Sequence, residues 1–460
     1  MRPDGDDTTT IDTLRRLLPA DILVTDPNIM AGYRTDRAPW AAAGRPAAVV
    51  RPRHTSQVQA TVRACHDLLV PVVTRGAGTG LTGAANAVDG GIVLSTEHLD
   101  GIVEINATER YAVVGPGLTS DALRDEAARH RLWYPPDPAS AEWSTIGGNV
   151  ATNAGGLCCA KYGVTRDYVM ALEFVDGRGR LHRAGRRTAK GVVGLDIAGL
   201  LVGSEGALGV ITEATLRLRP LSTQARTVVA GFPSLRSAGC AVAAVRAAGL
   251  TPAALELLDH ATLRAIDTWH RTGDLDAAVL IARIDTSAAA GEAEAAAVLA
   301  RFDAAGATWS TRSSDPREAE ELFGIRRLAY PSVERLGDVL TEDICVPVST
   351  LADVLEAVRL VAERREVTIA TIAHAGDGNL HPLIVTERGD HAAADRARAA
   401  FDELIDLALA HGGTISGEHG VGRLKRGGMR RELTPEVVAL QEQIKSVFDP
   451  RGILNPGAML

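Results

Sequence analysis

Two histidines that flank an Asp-Gly pair are the residues whose type and spacing most directly suggest chemistry. The segment 373–381 reads AHAGDGNLH. An Asp-Gly pair between two strand-like runs predicts a tight hairpin. In a hairpin centred on Asp377 and Gly378, His374 lies directly opposite His381, with Cβ atoms about 4.5–5.5 Å apart. Two imidazoles placed in this way predict a shared metal ion, and a purely structural histidine pair is the alternative.

A second polar segment supplies further candidate groups for the same chemistry. Residues 412–422 read GGTISGEHGVG and bring Glu418 and His419 side by side. Two histidines and one carboxylate suit zinc, manganese or iron(II), with coordination positions left open for a substrate. We therefore expect His374, His381 and Glu418 as metal ligands and His419 as a general base. The alternative is a glycine-rich turn that carries a solvated Glu-His pair.

A glycine-dense stretch at 144–156, STIGGNVATNAGG, predicts contact with a flat, phosphate-bearing ligand. Glycine accepts positive φ and has no side chain to hold a ligand away, and successive backbone N–H groups can form an anion-binding concavity. The apolar residues between the glycines argue against the alternative, a loose linker. The candidate ligand-binding residues are Thr145, Gly147, Gly148, Asn149, Thr152, Asn153, Gly155 and Gly156.

Residues 75–83, RGAGTGLTG, contain a formal GxGxxG pattern at Gly78, Gly80 and Gly83. A Rossmann site requires a helix to begin at these glycines. Here a turn at 89–91 is followed by a strand-like run, so we reject the Rossmann interpretation. A loop that cradles phosphate through backbone N–H groups needs only the glycines and a cation such as Arg75.

Composition and charge narrow the class of protein. The 460 residues suggest a chain of two or three domains, and the net charge of −8 argues against nucleic-acid binding. The sequence has no run long enough for a membrane helix, and its acidic N-terminus does not resemble a signal peptide. Five cysteines without a CxxC pattern indicate a reducing compartment and no cysteine-ligated iron–sulfur cluster. We therefore expect a cytoplasmic protein, with peripheral membrane contact left open.

The pattern of apolar residues predicts an α+β organisation. In the first half, strands are expected at 47–50, 71–74, 92–95 and 111–114, helices at 56–69 and 120–130, and a hairpin at 169–175 with 181–184. From about residue 225 the composition shifts to alanine-rich helices alternating with strands, which predicts a largely antiparallel sheet. Helices are expected near 235–248, 289–303, 316–328, 350–364, 392–411 and 434–446, and strands near 226–231, 277–283, 343–347, 367–373 and 381–386.

Taken together, these motifs resemble the FAD-dependent 2-hydroxy-acid dehydrogenases related to D-lactate dehydrogenase and the glycolate oxidase catalytic subunit, within the vanillyl-alcohol oxidase flavoprotein superfamily. The resemblance runs from about residue 40 to the end of the chain. It implies an FAD-binding domain in 1–222, a substrate or cap domain with the metal site in 223–445, and a C-terminal segment, 446–460, that returns to the FAD domain. The segments that carry it are 75–81, 136–138, 145–156, 203–210, 374–381, 417–420 and 449–457.

The resemblance assigns most of the site. It implies that 75–81 hold the FAD pyrophosphate, that 145–156 and 206–211 line the cofactor, and that Asn455 returns to the flavin. The expected FAD contacts are Arg75, Gly76, Ala77, Gly78, Thr79, Gly80, Leu81, Pro136, Asp137, Tyr162, Gly206, Gly209, Val210, Ile211 and Asn455, in addition to the candidate residues of 145–156. It also implies a substrate-carboxylate arginine at Arg326, with Arg327 as an adjacent competitor and an exposed helical arginine as the alternative.

The implied reaction is metal-assisted oxidation of a D-2-hydroxy acid to a 2-oxo acid by hydride transfer to flavin N5, with His419 as base. FAD is expected to bind noncovalently, because 75–83 contain no histidine for attachment. Zinc is the expected metal, with manganese or iron as options. Relatives that act on 2-hydroxyglutarate tend to carry a polar residue where Leu383 stands, which favours a smaller acid such as lactate or glycolate.

Three other functions fit these motifs less well. An ether-lipid synthase of the same superfamily does no net oxidation, but it carries a run of histidines that this chain lacks. A catalytic subunit of a multi-subunit glycolate oxidase would pass electrons to an iron–sulfur partner. A flavin-binding module without catalysis would have no use for the His374, His381, Glu418 and His419 set. The electron acceptor is left open, and so is a homodimer.

Overall fold

The structure is a computed structural model that describes residues 5–222, 225–271 and 277–460. Residues 1–4 of the acidic N-terminus lie outside this part of the chain. Contacts among the described residues divide the chain into two compact units. The first unit runs to Gly155, resumes at Val164–Leu221 and ends with Glu418–Leu460. The second unit comprises Gly156–Gly163 and Ser222–Gly417.

The first unit begins with helices and short strands that alternate along the chain. Its elements up to residue 221, with α6 belonging to the second unit, are α1 (Gly5–Leu17), β1 (Leu23–Val24), α2 (Pro27–Ala31), β2 (Ala48–Val50), α3 (Thr55–Leu68), β3 (Val72–Arg75), β4 (Ile92–Ser95), β5 (Ile102–Asn106), β6 (Tyr111–Val114), α4 (Ser120–Arg129), β7 (Leu132–Trp133), α5 (Ile146–Thr152), α6 (Cys159–Tyr162), β8 (Val169–Val175), β9 (Leu181–Gly185), α7 (Ile197–Leu201), β10 (Val210–Arg217) and β11 (Arg219–Pro220).

The second unit contains longer helices and strands. Its elements are β12 (Arg226–Phe232), α8 (Leu235–Ala247), β13 (Ala254–Asp259), α9 (His260–His270), β14 (Ala278–Ile284), α10 (Ala288–Ala304), β15 (Trp309–Ser313), α11 (Pro316–Glu334), β16 (Asp338–Thr341), β17 (Ile344–Cys345), α12 (Leu351–Arg365), β18 (Thr368–His374), β19 (Asn379–Thr386) and α13 (His391–Ala410). The chain then re-enters the first unit, where it forms α14 (Arg426–Glu432) and α15 (Pro435–Phe448).

Two sheets organise the first unit. One has the order β1-β2-β4-β3, in which β2, β4 and β3 run parallel and β1 pairs antiparallel with β2. The other has the order β5-β6-β10-β8-β9 and is antiparallel. Val50, Val72, Ile92 and Leu94 are fully buried and pack with the inner face of α3. Leu454 joins this core, so the C-terminal segment is part of the first unit.

An antiparallel sheet organises the second unit, in the order β15-β12-β14-β13-β18-β19-β16, with β17 also paired to β19. Its central strands are buried along their length, which explains their near-continuous apolar sequence. Three of the packing helices, α9, α11 and α13, begin at aspartate caps: Asp259, Asp315 and Asp390 each accept a hydrogen bond from a first-turn N–H group. Each such cap contributes about 0.5–2 kcal/mol.

The long amphipathic helices, the antiparallel sheet and the 169–184 hairpin are confirmed. The absence of a Rossmann helix is confirmed as well, because no helix lies between β3 and β4 in the fully described segment 76–91. The glycine-dense stretch 144–156, for which no helix was predicted, contains α5. The prediction also missed β13 and α9.

Among the helices of the described residues, none combines the length and apolar character that a bilayer crossing requires.

Candidate active site

The histidine pair lies on the β18–β19 hairpin of the second unit. His374 is paired with Asn379, and His381 is paired with Ile372, so the two histidines are diagonal neighbours. The expected direct opposition is therefore wrong: the four-residue loop 375–378 is centred one residue earlier than Asp377-Gly378. Because side chains two positions apart on a strand share a face, the rings still meet, with centroids 5.0 Å apart at 83°. Both histidines are buried.

A glutamate from the neighbouring strand β13 holds His374. Glu256 pairs with His374 across the β13–β18 ladder, and both of its carboxylate oxygens lie 2.9 Å from His374 Nδ1. Burial opposes ionisation of this fully buried carboxyl, but the charges of His374 and Arg326 outweigh it and lower the pKa of Glu256. An Nδ1–H donated to the carboxylate leaves Nε2 as the ring nitrogen available to a metal, the arrangement that orients metal-binding histidines.

The Glu256 carboxylate distinguishes the two candidate arginines, because it bonds Arg326 and not Arg327. Arg326 Nε donates to Glu256 Oε2 at 2.6 Å, and the Arg326 side chain is only 8% exposed. Arg327 is 59% exposed and pairs with Glu320 at 2.6 Å. The structure therefore brings Arg326 to the histidine cluster and places Arg327 on the outer face of α11. The expectation of an exposed helical arginine fits Arg327 and fails for Arg326.

Polar groups from the β16–β17 connection and from the segment after α13 lie near His381. Asp343 is fully buried, and its Oδ1 lies 3.6 Å from His381 Nδ1. Ser416 Oγ donates to Asp343 Oδ2 at 2.7 Å. Gly417 packs so closely on Asn379 that a Cβ at Gly417 would overlap the amide side chain. The chain therefore leaves the second unit beside the histidine hairpin, and Glu418 is the next residue.

The loop that carries His419 is tied to the first unit. Thr82 Oγ1 donates to the His419 carbonyl oxygen at 3.3 Å. The backbone N–H groups of Val421 and Gly422 donate to the Glu205 carboxylate at 2.6 and 2.8 Å. Glu205 is buried in the Gly203–Gly209 motif. Burial raises the pKa of Glu205 to about 7, although the two N–H donors favour its charged form.

The glycine segments 75–81 and 144–156 lie against each other. A Cβ at Gly76 would overlap Thr145 Oγ1, and Gly78 adopts a φ of +72° against the Arg75 guanidinium. The Arg75 guanidinium itself turns under the loop and donates to the carbonyl oxygens of Thr35 and Gly32. Arg75 is thus bonded to backbone carbonyls of the first unit.

Several polar residues of 145–156 bond within the protein. Thr145 caps α5 by accepting from Gly148 N, Asn149 Nδ2 donates to Ser120 Oγ at 2.8 Å, and Thr152 Oγ1 donates to the Gly148 carbonyl. Asn153, in the left-handed region at φ +53°, accepts from Arg166 N. These four side chains are therefore hydrogen-bonded within the protein. Gly156 adopts a φ of +141°.

Three other expected cofactor contacts have protein partners. Asp137 forms an ion pair with Arg124 at 2.7 Å, and the Pro136 carbonyl also accepts from Arg124. Tyr162 lies in the second unit, and its hydroxyl donates to Asp285. These bonds stiffen the 134–138 segment and α6. The polar atoms of Pro136, Asp137 and Tyr162, which were expected to contact FAD, therefore have protein partners.

Asn455 and the second glycine motif come together beside β3. Asn455 Nδ2 donates to the carbonyl oxygens of Glu205 and Ala84, at 2.6 and 2.9 Å. Gly206 adopts a φ of +76°, and a Cβ there would lie 3.9 Å from Thr74 Oγ1. Among the described residues, the buried Thr74 Oγ1 and Asn455 Oδ1 have no hydrogen-bond partner. Gly209, Val210 and Ile211 lead into β10, where a Cβ at Gly209 would press on Phe174.

Two family models match the chain. The model described as FAD linked oxidases, C-terminal domain, covers residues 221–459, and the FAD binding domain model covers residues 46–185. The chain belongs to the FAD-linked oxidase family. It therefore contains an FAD-binding domain and is an oxidoreductase.

Curated relatives resemble most of the chain. The glycolate oxidase subunit GlcD of Bacillus subtilis (strain 168) is 38% identical over 419 residues, which is 90% of this chain and 89% of the relative. GlcD of Escherichia coli (strain K12) is 37% identical, over 99% of this chain and 91% of the relative. The D-lactate dehydrogenase of Archaeoglobus fulgidus is 36% identical, over 93% and 95%.

Solved structures share the fold of the vanillyl-alcohol oxidase type, with an FAD domain and an antiparallel cap domain. p-Cresol methylhydroxylase with substrate bound has a TM-score of 0.82 at 17% identity, over 99% of this chain and 97% of that chain. The 4-ethylphenol oxidase of Gulosibacter chungangensis has a TM-score of 0.81 at 16% identity, again over 99% and 97%. The predicted family, fold class and enzyme type are thus confirmed, and the relatives do not favour the ether-lipid synthase.

The residue that sequence reasoning missed is Glu256. It lies in β13, where Glu256 is flanked by apolar residues in the run ALELLD, which ends at a second carboxylate, Asp259. A carboxylate flanked by apolar residues in a strand is a signal for a buried, paired charge, because an isolated one costs too much free energy to bury. Its partners, His374 and Arg326, were both candidate site residues. The sequence analysis missed only the strand, β13, whose carboxylate joins them.

Proposed function

We propose that this oxidoreductase converts a small D-2-hydroxy acid, of the lactate or glycolate class, into the 2-oxo acid, with noncovalent FAD and a divalent metal. The observation that carries the proposal is the buried His374–Glu256–Arg326 chain. It joins a metal-binding imidazole and a guanidinium through one carboxylate, the two groups needed to hold a hydroxyl and a carboxylate. The names of the glycolate oxidase and D-lactate dehydrogenase relatives support the same substrate class.

The first unit fits FAD. The glycine backbone at Gly76, Gly78 and Gly206 occupies positions that a side chain would obstruct or strain. Thr74 Oγ1 and Asn455 Oδ1 are buried polar atoms without a hydrogen-bond partner in the described chain, beside Gly206. Such atoms in a native structure call for a bound group. We propose that the N–H groups of 76–81 bind the pyrophosphate and that 154–156, 206–211 and Asn455 lie along the isoalloxazine. When bound, FAD accepts a hydride equivalent at N5.

The second unit fits a divalent metal. His374 and His381 present two buried imidazoles on one face of the hairpin, and Glu256 fixes the His374 tautomer. We propose that Glu418, one residue beyond Gly417, completes the ligand set. Zinc suits two imidazoles and one carboxylate with an open position, and manganese or iron(II) is the alternative. The metal would polarise the substrate hydroxyl and lower its pKa.

The protein groups then divide the remaining work. Arg326 has five N–H donors, and the structure commits Nε to Glu256. We propose that its other donors bind the substrate carboxylate. His419 takes the hydroxyl proton as the C2–H bond breaks. Its loop is fixed by Thr82 and Glu205, so the backbone that carries the imidazole is held by protein contacts.

Leu383 supports a small substrate. It is fully buried, lies two residues after His381 on the same face of β19, and packs with Ile372 and Phe323. This side chain offers no donor to a second substrate carboxylate. A dicarboxylic acid would leave its distal charge against an apolar surface, which is unfavourable.

The test is anaerobic bleaching of the flavin absorbance by a panel of D- and L-2-hydroxy acids that differ in length and in a second carboxylate. The proposal expects fast bleaching by D-lactate or glycolate, slow bleaching by L-lactate and slow bleaching by D-2-hydroxyglutarate. Preference for the dicarboxylic acid would overturn the assignment of substrate size. No bleaching by any acid, with FAD and metal present, would overturn the reaction itself.

The electrons must next leave the reduced flavin for an acceptor outside the chain. The five cysteines include no disulfide in the described residues, and no CxxC pattern occurs in the sequence. The GlcD relatives are named as subunits of an oxidase. We propose that a separate electron carrier reoxidises the flavin, as in a multi-subunit oxidase.

A further inference from the structure

A loop in the first unit exposes large apolar side chains to an unusual degree. Residues 186–195 lie between β9 and α7, and every residue from 185 to 196 is exposed. Val192, Val193 and Leu195 have relative exposures of 97%, 101% and 87%. Single exposed apolar residues are normal, but three neighbouring and almost fully exposed ones form a patch, and patches of this kind mark interaction sites.

The base of the loop is fixed, so the apolar tip is presented on a defined support. Gly185 turns the chain at φ +96° against the Met170 carbonyl, to which Arg186 N then donates at 2.9 Å. At the other end, Asp196 caps α7 through Gly199 N at 2.9 Å. Between these anchors, nothing lies within 4 Å of the open side of Gly194.

The surroundings of the tip are basic, although the whole chain is acidic. Between Gly177 and Leu195 the sequence has no Asp or Glu and includes Arg178, Arg180, Arg183, Arg186, Arg187 and Lys190. Arg180, Arg183 and Arg187 pair with acidic residues of other strands or turns. Arg186 and Lys190 form no ion pair with any residue in the described ranges. The loop that carries the apolar tip therefore has a net positive charge.

A small cavity at the base of the loop is also lined by basic side chains. It has a volume of about 140 Å³, and its lining includes Arg166, Arg186 and Arg217 with Asp196 as the acid. Arg166 is bonded to the carbonyl oxygens of Gly199 and Val202. Three guanidinium groups around one recess complement an anionic headgroup.

We propose that residues 186–195 dock on an anionic lipid surface, inserting Val192, Val193 and Leu195 at the boundary between headgroups and acyl chains. Apolar insertion and electrostatic attraction are the two contributions that hold peripheral proteins on membranes. A second copy of the chain fits less well, because a symmetric contact through this loop would bring like charges together. The inference does not depend on the proposed reaction.

The experiment is co-sedimentation of the full-length, FAD-loaded protein with vesicles. Two compositions are used: phosphatidylcholine alone, and phosphatidylcholine with phosphatidylglycerol. We expect binding to the anionic vesicles, at least tenfold weaker binding to the neutral ones, and loss of binding as salt is raised. The Val192→Ser/Val193→Ser/Leu195→Ser variant should bind anionic vesicles at least tenfold more weakly, with unchanged flavin content.

Matched variants separate insertion from general surface effects. Val103→Ser and Val447→Ser remove valines that are 67% and 68% exposed elsewhere on the first unit, and they should bind like the parent. Arg186→Glu/Lys190→Glu keeps the apolar tip, reverses the charge and should also lose binding. This second variant keeps the test available if the triple-serine variant fails to fold.

Three outcomes would overturn the proposal. They are no binding to anionic vesicles, equal binding by the triple-serine variant, and equal binding to neutral and anionic vesicles. Light scattering tests the alternative that the loop binds a second copy of the chain. Self-association that the serine substitutions abolish, without vesicle binding, would assign the loop to a protein interface and contradict the membrane assignment.

Discussion

At the scale of single residues, the central feature is one buried carboxylate that serves two partners. Glu256 orients His374 and neutralises Arg326, and each partner is buried with it. Removing one member of a buried ion pair leaves an uncompensated charge, which costs more than the pair itself contributes. The cluster therefore links stability and chemistry in the second unit.

Glu256→Gln should lower the free energy of unfolding by about 3–5 kcal/mol, because Arg326 loses its charge partner in a buried site. It should also weaken metal retention, since His374 loses the acceptor for Nδ1. Glu320→Gln is the matched control, because Glu320 pairs with the adjacent, exposed Arg327. That variant should change stability by less than about 1 kcal/mol. Chemical denaturation and metal analysis measure both effects, and equal stability losses in the two variants would contradict the account.

His419→Ala should slow flavin reduction by about 10²–10⁴-fold, the usual contribution of a general base, while FAD stays bound. His130→Ala is the control, because His130 also lies near a glutamate, with Nε2 3.7 Å from Glu126 Oε1, but it belongs to an exposed helix end. Stopped-flow reduction by the best acid of the panel reports the rate. Full-speed reduction in the His419 variant would remove it from the mechanism.

Residue-level prediction from sequence identified the histidine pair and missed the carboxylate that supports it. His374 and His381 lie together in the second unit, as their type and spacing predicted, whereas Arg326 was a candidate only through the family resemblance. The histidine register was wrong because the sequence centred the turn on Asp377-Gly378, whereas the chain closes its loop at 375–378, centred one residue earlier. Glu256 escaped because its partners come from β18 and α11, far away in sequence.

At the scale of elements, the first unit is organised by glycine segments that pack on each other. Residues 146–152 form a helix, although two consecutive glycines have poor helix propensity. Tertiary packing explains this: a Cβ at Gly147 would lie 2.6 Å from Pro116 Cβ, so the helix can approach that turn only with glycine. Local propensity alone does not predict this helix, while the glycines did mark a close approach.

Gly78→Ala should weaken FAD retention and destabilise the first unit by about 1–2 kcal/mol, because a left-handed residue gains a Cβ. The new methyl group would also displace the Arg75 guanidinium. Gly101→Ala is the control, since Gly101 has no atom within 4 Å of its open side and no positive φ. Flavin content after gel filtration and thermal unfolding measure the two effects. Equal flavin content in both variants would show that the 75–81 loop does not bind the cofactor.

The Glu205 carboxyl, which accepts from the N–H groups of Val421 and Gly422, makes the free energy of unfolding depend on pH in a defined direction. Its pKa is raised to about 7 in the folded protein, mainly by burial. Between its ordinary value and about 7, the unfolded chain is ionised while the folded carboxyl keeps its proton. Unfolding therefore releases a proton, and stability falls as pH rises through this window, by up to about 3 kcal/mol from this group.

Glu205→Gln cannot ionise, so its free energy of unfolding should vary less between pH 5 and pH 8 than that of the parent. Glu109→Gln, at an exposed position between β5 and β6, should keep the parent's pH dependence. Urea unfolding at the two pH values gives the comparison. A parent that becomes more stable relative to Glu205→Gln as pH rises would contradict this direction of the pH dependence.

At the scale of the whole molecule, the sequence predicted more than it did at the other scales. Periodicity, turn residues and the shift in composition near residue 225 predicted the antiparallel sheet of the second unit and its long helices other than α9. The strands β13, β15 and β16 were not predicted. Their sequences are short, interrupted by charge or mostly polar, so their identity depends on neighbours in the sheet. Family membership then follows from many ordered motifs, none of which is sufficient alone.

The measurement that tests the central claim most directly is anaerobic flavin bleaching by D-lactate or glycolate in metal-loaded and metal-free protein. Metal-free protein is prepared with EDTA and gel filtration, and His381→Ala provides the same state by substitution. The account predicts fast bleaching with metal, retained FAD but at least hundredfold slower bleaching without it, and recovery when zinc or manganese is returned to the parent only. Bleaching at the same rate in the metal-free protein would contradict a metal-assisted oxidation of 2-hydroxy acids.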